Sequence, residues 1–440
     1  MTPRFALISL GCAKNLVNSE QMLYLLTESG YEPVSEPGDA DFAVINTCGF
    51  IDAAKSEAID TILETAKLKI NDPDYKIIVT GCLSERYKDS IHSELPEIDG
   101  LLGVGSFGNI AECAEAVLSG SFYSSFENSS APVDEIPRVL TTGPSWAYLR
   151  IAEGCDNFCS FCAIPYIRGR YRSRKMEDII EEAEDLADHG VKELIVIAQD
   201  ITRYGTDLYG RHMLSELIRK LSDIPGIGWI RLHYLYPDQF DDELIEEIAS
   251  NQKVCKYLDI PIQHINNGIL KRMNRRGSGD EIRSLFKKLR ERIPGLVLRT
   301  SLIAGLPGEG ETEFEELCSF LREARIERAG VFPFSPEEGT PAAAMEHCSE
   351  DEARRRADLI MQLQAPIMDD FCNSFIGKTI DVLTEFCDEE SGYLVGRSYA
   401  DSPDIDGEVY FTGSATEGTF ARVYITKAED GILYGEEAET

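Results

Sequence analysis

The chain has 440 residues, enough for about two to four domains of ordinary size. Its 77 acidic and 43 basic residues give a formal net charge of −34, which excludes binding to nucleic acid or anionic membranes through bulk charge. The composition, 43% apolar and 27% charged, is that of a globular protein, and no apolar run approaches the ~18 residues of a membrane span.

The first 118 residues alternate between strand-like and helix-like patterns. Short apolar runs predict strands at residues 5–10, 41–46, 76–80 and 101–104. Amphipathic segments predict helices at residues 15–29, 52–69, 84–93 and 109–118. Alternation of this kind favours a parallel sheet covered by helices, and ligands in such sheets bind beyond the carboxyl ends of the strands.

The first apolar run, residues 5–10 before Gly11 and Cys12, also resembles the core of a lipoprotein signal. It is six residues long, which is shorter than the ~7–15 residues of such a core. We therefore expect a first strand, and a cytoplasmic protein. In that compartment the twelve cysteines are expected to be thiols or metal ligands rather than disulfides.

A cysteine follows each of the first three predicted strands: Cys12, Cys48 and Cys82, with separations of 36 and 34 residues. If the strands are neighbours, the three thiols converge on one edge of the sheet, and adjacent glycines leave room for a bulky inorganic ligand. Any one of them alone would be read as a buried, inert cysteine, but three in one structural register favour a metal cluster. Cys113 is expected in a helix core, and no role is assigned to Cys255, Cys318, Cys348, Cys372 or Cys387.

A stretch rich in Ser, Glu, Asn and Pro, residues 119–137, is typical of a linker. A second strand–helix series follows it. The predicted strands are 146–152, 193–198, 228–235, 257–262, 296–303 and 329–334, and the predicted helices include 176–189, 213–221, 281–291 and 311–323. Six such units favour a partial TIM-like (β/α)6 barrel, whose chemistry would lie at the carboxyl ends of the strands.

The loop after the first barrel strand carries Cys155, Cys159 and Cys162, at spacings of four and three residues. Thiolates are soft ligands that favour iron–sulfur clusters or zinc. A cubane cluster takes four ligands, so three cysteines would leave one iron open to a small molecule. A structural zinc site is the alternative, but it needs a fourth ligand, and no Cys or His follows within the next ten residues.

Polar or special residues also follow the other barrel strands, among them Gln199, Gln263 and Gly305. Their shared placement predicts that several of them line one cavity. Gly305 and Gly308 let the backbone approach a ligand closely, although a simple strand-to-helix turn explains them equally well. The basic run at residues 168–175 is expected to bind a carboxylate or to form inter-domain ion pairs.

The tail shows five short strand patterns separated by turn residues: 379–386, 393–397, 407–411, 420–425 and 432–434. Five short strands favour a small antiparallel barrel of the OB type. Such barrels often bind nucleic acid, but fifteen acidic and four basic residues after residue 372 give this one a net charge of −11. That charge argues against a phosphate backbone and favours a basic protein surface as the partner.

Several stretches resemble the radical S-adenosylmethionine (SAM) methylthiotransferase family. They are SLGCAKNLVNSE (9–20), INTCGFI (45–51), VTGCLSERY (79–87), GCDNFCSFCAIPYIRGRYRSR (154–174), AQDITRYG (198–205), PIQH (261–264) and GLPGE (305–309). Together with the domain order, the resemblance covers the whole chain. It implies an α/β multidomain protein: an N-terminal parallel α/β sheet domain, a central partial TIM-like radical-SAM barrel and a small C-terminal TRAM barrel. The expected bounds are 1–118, a linker at 119–137, 138–372 and 373–440.

The resemblance also implies the cofactors, which are two 4Fe-4S clusters and SAM. In the family, three loop cysteines, here Cys155, Cys159 and Cys162, hold the cluster whose open iron SAM chelates. The three strand-end cysteines, Cys12, Cys48 and Cys82, would hold the second cluster. The residues expected to contact SAM are Phe161, Gln199, Gln263, Ile303 and Gly305. No side chain is expected to act as an acid or base, because the chemistry takes place at the clusters.

The implied reaction starts with an electron passing from the first cluster to the SAM sulfonium, which splits into methionine and a 5′-deoxyadenosyl radical. That radical would remove hydrogen from an unactivated carbon, which acid–base catalysis cannot readily do. The second cluster would hold the sulfur that joins the carbon, and a second SAM would supply the methyl group.

Two branches of the family differ in substrate. One modifies the β-carbon of an aspartate in ribosomal protein S-twelve, and the other modifies adenosine in tRNA. SLGCAKNLVNSE, AQDITRYGTDLYG and the acidic tail resemble the ribosomal-protein branch. Ile201 and Ser301 depart from the family pattern, where threonine and glycine are expected, but neither is a predicted cluster ligand.

The expected partners follow from this branch. They are a basic ribosomal protein, free or on the small ribosomal subunit, and an electron donor such as flavodoxin or ferredoxin, with no membrane and no direct tRNA substrate. A tRNA-modifying enzyme is the first alternative, and it should have a basic C-terminal barrel. A non-catalytic iron–sulfur or zinc protein is the second, and it would not need a barrel with an open-iron loop.

Overall fold

The structure is a computed structural model that describes residues 2–133 and 135–438. The chain forms two compact units, each built from separate stretches. The first unit comprises Met1–Thr141, Ala152–Arg174 and Ser335–Ala343, and the second comprises Thr142–Ile151, Lys175–Phe334 and Ala344–Thr440. The domain bounds inferred above, at 118, 137 and 372, stay a prediction. Within the described ranges no helix combines the length and apolar character needed to cross a membrane.

The N-terminal part alternates strands and helices, as predicted. The strands are β1 (Arg4–Ser9), β2 (Glu32–Pro33), β3 (Phe42–Thr47), β4 (Lys76–Gly81), β5 (Gly100–Leu102) and β6 (Tyr123–Ser125). The helices are α1 (Ala13–Glu28), α2 (Asp52–Ala66), α3 (Cys82–Arg86), α4 (Ile91–Glu94) and α5 (Ile110–Leu118). The single helix expected over 84–93 is therefore two short helices, α3 and α4.

These strands form one parallel sheet in the order β2-β1-β3-β4-β5-β6. All six residues of β3 are buried, because helices cover both faces. Ala43 and Ile45 pack in the core on one face, while Phe42 and Val44 pack in the core on the other. The sheet thus places β1, β3 and β4 side by side, the arrangement that the three strand-end cysteines require.

The two edge strands, β2 and β6, were not predicted from the sequence. The first has only two residues, and the second lies within the Ser-rich stretch 119–137. Neither shows the apolar periodicity of a strand, because two or three residues are too few to form a pattern. Backbone pairing with β1 and β5, rather than side-chain pattern, defines them.

The central part continues the series. Its strands are β7 (Trp146–Arg150), β8 (Ala152–Glu153), β9 (Arg172–Ser173), β10 (Glu193–Ile197), β11 (Trp229–Leu232), β12 (Val254–Asp259), β13 (Val297–Ala304) and β14 (Arg328–Pro333). Its helices are α6 (Ile164–Ile167), α7 (Met176–Asp188), α8 (Leu214–Asp223), α9 (Asp242–Ser250), α10 (Asn267–Arg272), α11 (Gly279–Arg292) and α12 (Glu311–Ala324). In the second unit, β14-β13-β12-β11-β10-β7 form a six-stranded parallel sheet, which confirms the partial barrel fold.

Besides the four-residue α6, three helices went unpredicted: α9, α10 and the long α13 (Glu350–Asn373). Each begins at a side chain that accepts hydrogen bonds from the first turn, Asp241 for α9, Asn266 for α10 and Ser349 for α13. Caps of this type mark helix starts in sequence, so the signal was present.

The tail forms a closed barrel of β15 (Thr379–Cys387), β16 (Leu394–Ser398), β17 (Val409–Thr412), β18 (Phe420–Glu429) and β19 (Ile432–Glu437). Its order is β15-β16-β17-β19-β18, and β17 pairs with β19 in parallel while the other pairs are antiparallel. A closed ring of five strands cannot alternate direction throughout, so one parallel pair is required. The small β-barrel is confirmed, with this one departure from a purely antiparallel arrangement.

Within the second unit, the small barrel packs against the amino ends of the sheet strands. Glu193, at the start of β10, accepts hydrogen bonds from Arg231 (2.6 Å) and Arg397 of β16 (2.7 Å). Trp229, at the start of β11, stacks edge-on with Phe420, with centroids 4.8 Å apart. Burial acts to raise the pKa of Glu193, but Arg231 and Arg397 outweigh it and hold the pKa below its usual value. The barrel is therefore anchored away from the carboxyl ends of the strands.

Candidate functional site

The carboxyl edge of the first sheet carries the three strand-end cysteines. Cys12 precedes α1, Cys48 follows β3, and Cys82 is the first residue of α3. Because β1, β3 and β4 are neighbours, the three residues lie at the same edge of the sheet, and their role as cluster ligands stays a prediction. A Cβ added at Gly11 would lie 2.9 Å from the Cβ and 3.4 Å from the Sγ of Cys48, which shows how closely the loops approach one another.

Two glycines allow this approach. A Cβ at Gly49 would lie 2.7 Å from the Leu83 nitrogen and 2.8 Å from the Cys82 carbonyl, closer than real Cβ atoms come. Gly81 has a φ of +96°, and a Cβ there would lie 2.4 Å from Asn46 Oδ1. The loops behind β3 and β4 can therefore pack against each other only with glycine at both positions.

Asn15, which no sequence argument singled out, ties the strand ends together. Its Nδ2 donates to the carbonyl oxygens of Leu10 and Thr47, each at 2.9 Å. The Asn46 side chain donates to the Asn15 carbonyl at 2.8 Å, and Thr47 Oγ1 donates to the Thr80 carbonyl at 2.6 Å. A polar residue that is 1% exposed on a helix face needs partners, and here the partners are the strand ends that carry the cysteines.

The three thiols differ in their proton affinity. Burial, together with the neighbouring Cys82 and Cys12, raises the pKa of Cys48 to about 11. Burial also raises the pKa of Cys82, against the opposing charge of Arg168. For Cys12, the charges of Lys14 and Arg168 outweigh desolvation and lower the pKa. Metal binding at these sulfurs would release protons, because the ligand is the thiolate.

The second cysteine group lies on one loop of the same unit. The loop leaves the antiparallel pair of β8 and β9. Gly154 has a φ of +82°, and a Cβ there would lie 2.1 Å from the Arg170 carbonyl oxygen. The Cys155 nitrogen donates to the Gly169 carbonyl at 3.2 Å. The backbone at the start of the loop is therefore clamped against the strand that leaves it.

Within the loop, Cys155 and Cys159 are buried and Cys162 is half-buried. The Cys162 nitrogen donates to the Cys159 carbonyl at 2.9 Å, which makes a tight turn between the last two cysteines. Phe158 has a φ of +48°, a conformation that a non-glycine residue rarely adopts, and the Arg170 guanidinium lies 5.1 Å from the centre of its ring. Strained backbone of this kind is typical of functional loops.

The structure brings the two cysteine groups into one unit. Cys82 packs against Ala163 and Ile167, which flank or lie in α6, directly after the cysteine loop. All twelve cysteines lie among the described residues, and each is a free thiol. No group of three or more Cys, His, Asp or Glu side chains within 2–133 and 135–438 is arranged around a single metal ion. Each set of three thiols provides the ligand type of an iron–sulfur cluster, and Gly49 and Gly81 let the loops next to Cys48 and Cys82 pack closely.

The residues predicted to contact SAM lie in both units. Phe161 is buried in the cysteine loop, and Gln199 follows β10. Gln263 has a φ of +67°; its nitrogen donates to the Ser301 carbonyl, and its carbonyl accepts from the Ile303 nitrogen, each at 2.9 Å. Gln263 and Ile303 are thus brought together, whereas their contact with SAM stays a prediction.

Gly305 belongs to a buried polar cluster. Its nitrogen donates to Glu309 Oε1 at 3.0 Å, and Arg356 of α13 donates to the same oxygen at 2.9 Å. Burial acts to raise the pKa of Glu309, but His264, Arg356 and the Gly305 nitrogen outweigh it and lower the pKa. Arg356 was missed because α13 itself was not predicted.

Family models match three parts of the chain. An uncharacterized protein family, UPF0004, matches residues 4–103, the radical SAM superfamily matches residues 149–321, and the TRAM domain matches residues 376–437. These matches fall on the sheet with the strand-end cysteines, on the parallel barrel and on the small closed barrel.

Curated relatives match over nearly the whole length. A protein of Acetivibrio thermocellus is 48% identical over 452 residues, covering 99% of this chain and 98% of the relative. Proteins of Clostridium botulinum (47% over 443 residues, 98% of each chain) and of Thermoanaerobacter sp. (48% over 434 residues, 98% and 99%) are similar. All three are named ribosomal protein uS12 methylthiotransferase RimO.

Two solved structures share the fold. The radical SAM methyltransferase TsrM of Kitasatospora setae, with cobalamin and a 4Fe-4S cluster bound, has a TM-score of 0.55 and 14% identity, covering 78% of this chain and 77% of that one. The cobalamin-dependent SAM radical enzyme OxsB, with aqua-cobalamin and SAM bound, has a TM-score of 0.50 and 12% identity, covering 84% and 56%. At such identities they support the fold alone.

Full-length identity near one half, three family models in the expected order and the cysteine-bearing folds agree with one another. They confirm the prediction of a radical-SAM methylthiotransferase with a TRAM domain. The chain belongs to the RimO family of radical-SAM ribosomal protein uS12 methylthiotransferases.

Proposed function

We propose that this enzyme attaches a methylthio group to the β-carbon of an aspartate in ribosomal protein uS12. The observation that carries the proposal is the pair of three-cysteine groups within one compact unit, in a chain nearly half identical to RimO relatives over its full length. A single radical-SAM centre needs only one such group, so a second group indicates a second task.

The two groups would hold two 4Fe-4S clusters, one on Cys155, Cys159 and Cys162 and the other on Cys12, Cys48 and Cys82. When bound, the clusters would supply the electron that cleaves SAM and the sulfur that is transferred. The chain's own part is to hold the six thiols in place. Gly49 and Gly81 serve the strand-end group, because a Cβ at either position would collide with neighbouring atoms and push the loops behind β3 and β4 apart.

Phe161, Gln199, Gln263, Ile303 and Gly305 are proposed to contact SAM. Two features of their backbone support this. Gln263 has a φ of +67° and Gly305 a φ of +83°, so both depart from regular strand geometry where the strands of a barrel end. Glu309 fixes the turn that contains Gly305 through a buried hydrogen bond.

The small C-terminal barrel is proposed to bind the basic substrate protein. Its surface is strongly acidic, and it also carries three half-buried tyrosines whose rings lie 5.8–6.3 Å apart: Tyr393, Tyr410 and Tyr434. The ammonium of Lys427 already lies 5.3 Å from the centre of the Tyr434 ring, which shows that this face accepts a cation. A Lys- or Arg-rich surface is therefore the better partner than a phosphate backbone. We further propose that the enzyme acts in the cytoplasm, as a ribosomal substrate implies, and that an electron donor such as flavodoxin or ferredoxin serves it there.

Mass spectrometry of ribosomal protein uS12, from cells with and without this gene, tests the proposal. We expect the mass of one methylthio group, in place of one hydrogen, on an aspartate of uS12 only when the gene is present. An unmodified protein in both strains would contradict it.

Binding measurements separate the two branches of the family. We expect the purified enzyme to bind uS12 more tightly than bulk tRNA in the same buffer, with affinity that falls as salt rises, because exposed charges are screened. Tighter binding to tRNA, with a methylthio group appearing on adenosine, would move the proposal to the tRNA branch.

A further inference from the structure

A buried cation lies beside the cysteine group at the ends of the first three strands. Arg168 follows α6 directly, in the segment after the cysteine loop, and only 3% of its surface is exposed. A buried guanidinium needs compensating partners because its desolvation is costly. The side chains that pair with Arg168 therefore indicate which parts of the site its guanidinium connects.

The partners of Arg168 come from both cysteine-bearing regions of the first unit. Its Nη1 lies 2.9 Å from Glu153 Oε2, and Glu153 stands two residues before Cys155. Its Nη2 donates to Asn15 Oδ1, and that oxygen lies 3.8 Å from Cys82 Sγ. The guanidinium thus spans from the loop that carries one cysteine group to the edge that carries the other.

Packing fixes this position. Ile167, the neighbour of Arg168, packs against Cys82 together with Ala163 and Val104. Asn15, which receives Arg168, is itself held by bonds to the Leu10 and Thr47 carbonyls. Both the residue before Arg168 and the side chain that accepts its hydrogen bond are therefore held at the sheet edge.

A fixed positive charge next to a cluster ligand favours the state with more negative charge. Reduction adds one electron to a cluster, so a nearby cation makes reduction easier, and burial strengthens the effect because water screens it little. Charge and hydrogen bonds near the sulfurs are established means of tuning cluster potentials.

We propose that Arg168 is a positioning residue for the second cluster. It links the strand-end cysteines to the cysteine loop, and its positive charge makes the second cluster easier to reduce. The proposal rests on the second cluster at Cys12, Cys48 and Cys82. The carboxylate of Glu153 offsets part of the charge of Arg168. Removing the negative charge of Glu153 should therefore make the second cluster easier to reduce, whereas removing the positive charge of Arg168 should make it harder.

The test isolates the second centre. In full-length protein with Cys155, Cys159 and Cys162 all replaced by alanine, anaerobic reconstitution leaves one centre to observe by iron content and by a potentiometric titration followed by electron paramagnetic resonance. Arg168→Gln should lower the midpoint potential, so that the ratio of reduced to oxidised cluster at a fixed potential falls about tenfold or more. Arg168→Lys keeps the charge, so its midpoint potential should lie between that of Arg168→Gln and that of the parent.

A matched control removes the same charge from the same segment. Arg170 is 64% exposed and pairs with Asp156, so Arg170→Gln should leave the midpoint unchanged. Glu153→Gln should raise the midpoint, which simple loosening of the site would not do.

Each outcome has one meaning. If the parent with three alanines holds no iron, the second cluster and this proposal both fail. If it holds iron but Arg168→Gln titrates like Arg170→Gln, the role of Arg168 is refuted while the second cluster stands. If Arg168→Gln holds no iron, the midpoint potential of Glu153→Gln decides whether the proposal stands. An unchanged midpoint in Glu153→Gln overturns it.

Discussion

The two cysteine groups are built in opposite ways. Cys155, Cys159 and Cys162 come from one loop of eight residues, whereas Cys12, Cys48 and Cys82 follow three different strands and span 71 residues. The first group depends on local backbone, and the second depends on the order of strands in a sheet. The first group can therefore be recognised in the sequence by its spacing alone. The second group forms only if the three strands are neighbours in the sheet.

Their surroundings differ accordingly. The loop is held by the short pair β8 and β9 and by the tight approach at Gly154. The strand-end group depends on glycines at 11, 49 and 81 and on the bonds of Asn15. Substitutions at the sheet edge should therefore affect the strand-end centre, and substitutions in the loop should affect the loop centre. The two centres can thus be tested separately.

The largest expected effect separates the tasks of the two groups. Cys159→Ala should abolish SAM cleavage, because the loop would lose one of its three ligands. Cys48→Ala should still cleave SAM but should transfer no sulfur. The measurement is release of 5′-deoxyadenosine with dithionite and SAM. Cleavage at the normal rate by Cys159→Ala would mean that the two assignments are wrong.

The next effect concerns iron. Anaerobic reconstitution should load roughly eight iron atoms per chain, from two four-iron clusters. Replacing Cys12, Cys48 and Cys82 together with alanine should halve that number. Cys387→Ala is the control, since Cys387 is exposed and far from both groups in sequence, and it should leave iron content unchanged. Full iron content in the triple variant would show that Cys12, Cys48 and Cys82 do not hold a second cluster.

The dependence of the second group on sheet packing can be tested at Gly81. Gly81→Ala should lose stability and iron at the second centre, because a Cβ would lie 2.4 Å from Asn46 Oδ1 and 2.5 Å from the Thr47 carbonyl. Gly120→Ala is matched: its φ is +86°, yet nothing lies within 4 Å of the added Cβ. Both should lose ~1–2 kcal/mol through backbone strain, and Gly81→Ala should lose about 1–3 kcal/mol more through overpacking.

Chemical denaturation and iron content measure this difference. Equal losses in the two variants, with iron unchanged, would show that the sheet edge tolerates a side chain at Gly81. In that case the strand-end group would depend less on close packing than the contacts indicate.

The same contrast explains what the sequence predicts and what it does not. Apolar runs predict β1, β3 and β4, and a cysteine just after each strand predicts that the three share one edge of the sheet. The role of Asn15 depends on three strand ends meeting, and nothing local marks it. The basic run at 168–175 is visible in the sequence, but its pattern does not show that Arg168 is buried while Arg170 is 64% exposed. Long-range packing decides that.

The smallest expected effect tests whether position, rather than burial, makes a cysteine a ligand. Cys113 is fully buried in α5, and burial raises its pKa to about 12. Its Sγ lies 2.6 Å from the place where a Cβ of Gly100 would be, so it fills the space that this glycine leaves. Cys113→Ala should therefore leave a small cavity and cost about 1 kcal/mol.

Iron content should stay the same in Cys113→Ala, because α5 follows β5 and its thiol points into the sheet core rather than to the edge. Cys113→Ser should cost more stability than Cys113→Ala, since a hydroxyl in an apolar core needs a partner. Loss of iron in either variant would make Cys113 a ligand, and strand order would then no longer explain why Cys12, Cys48 and Cys82 alone form the second group.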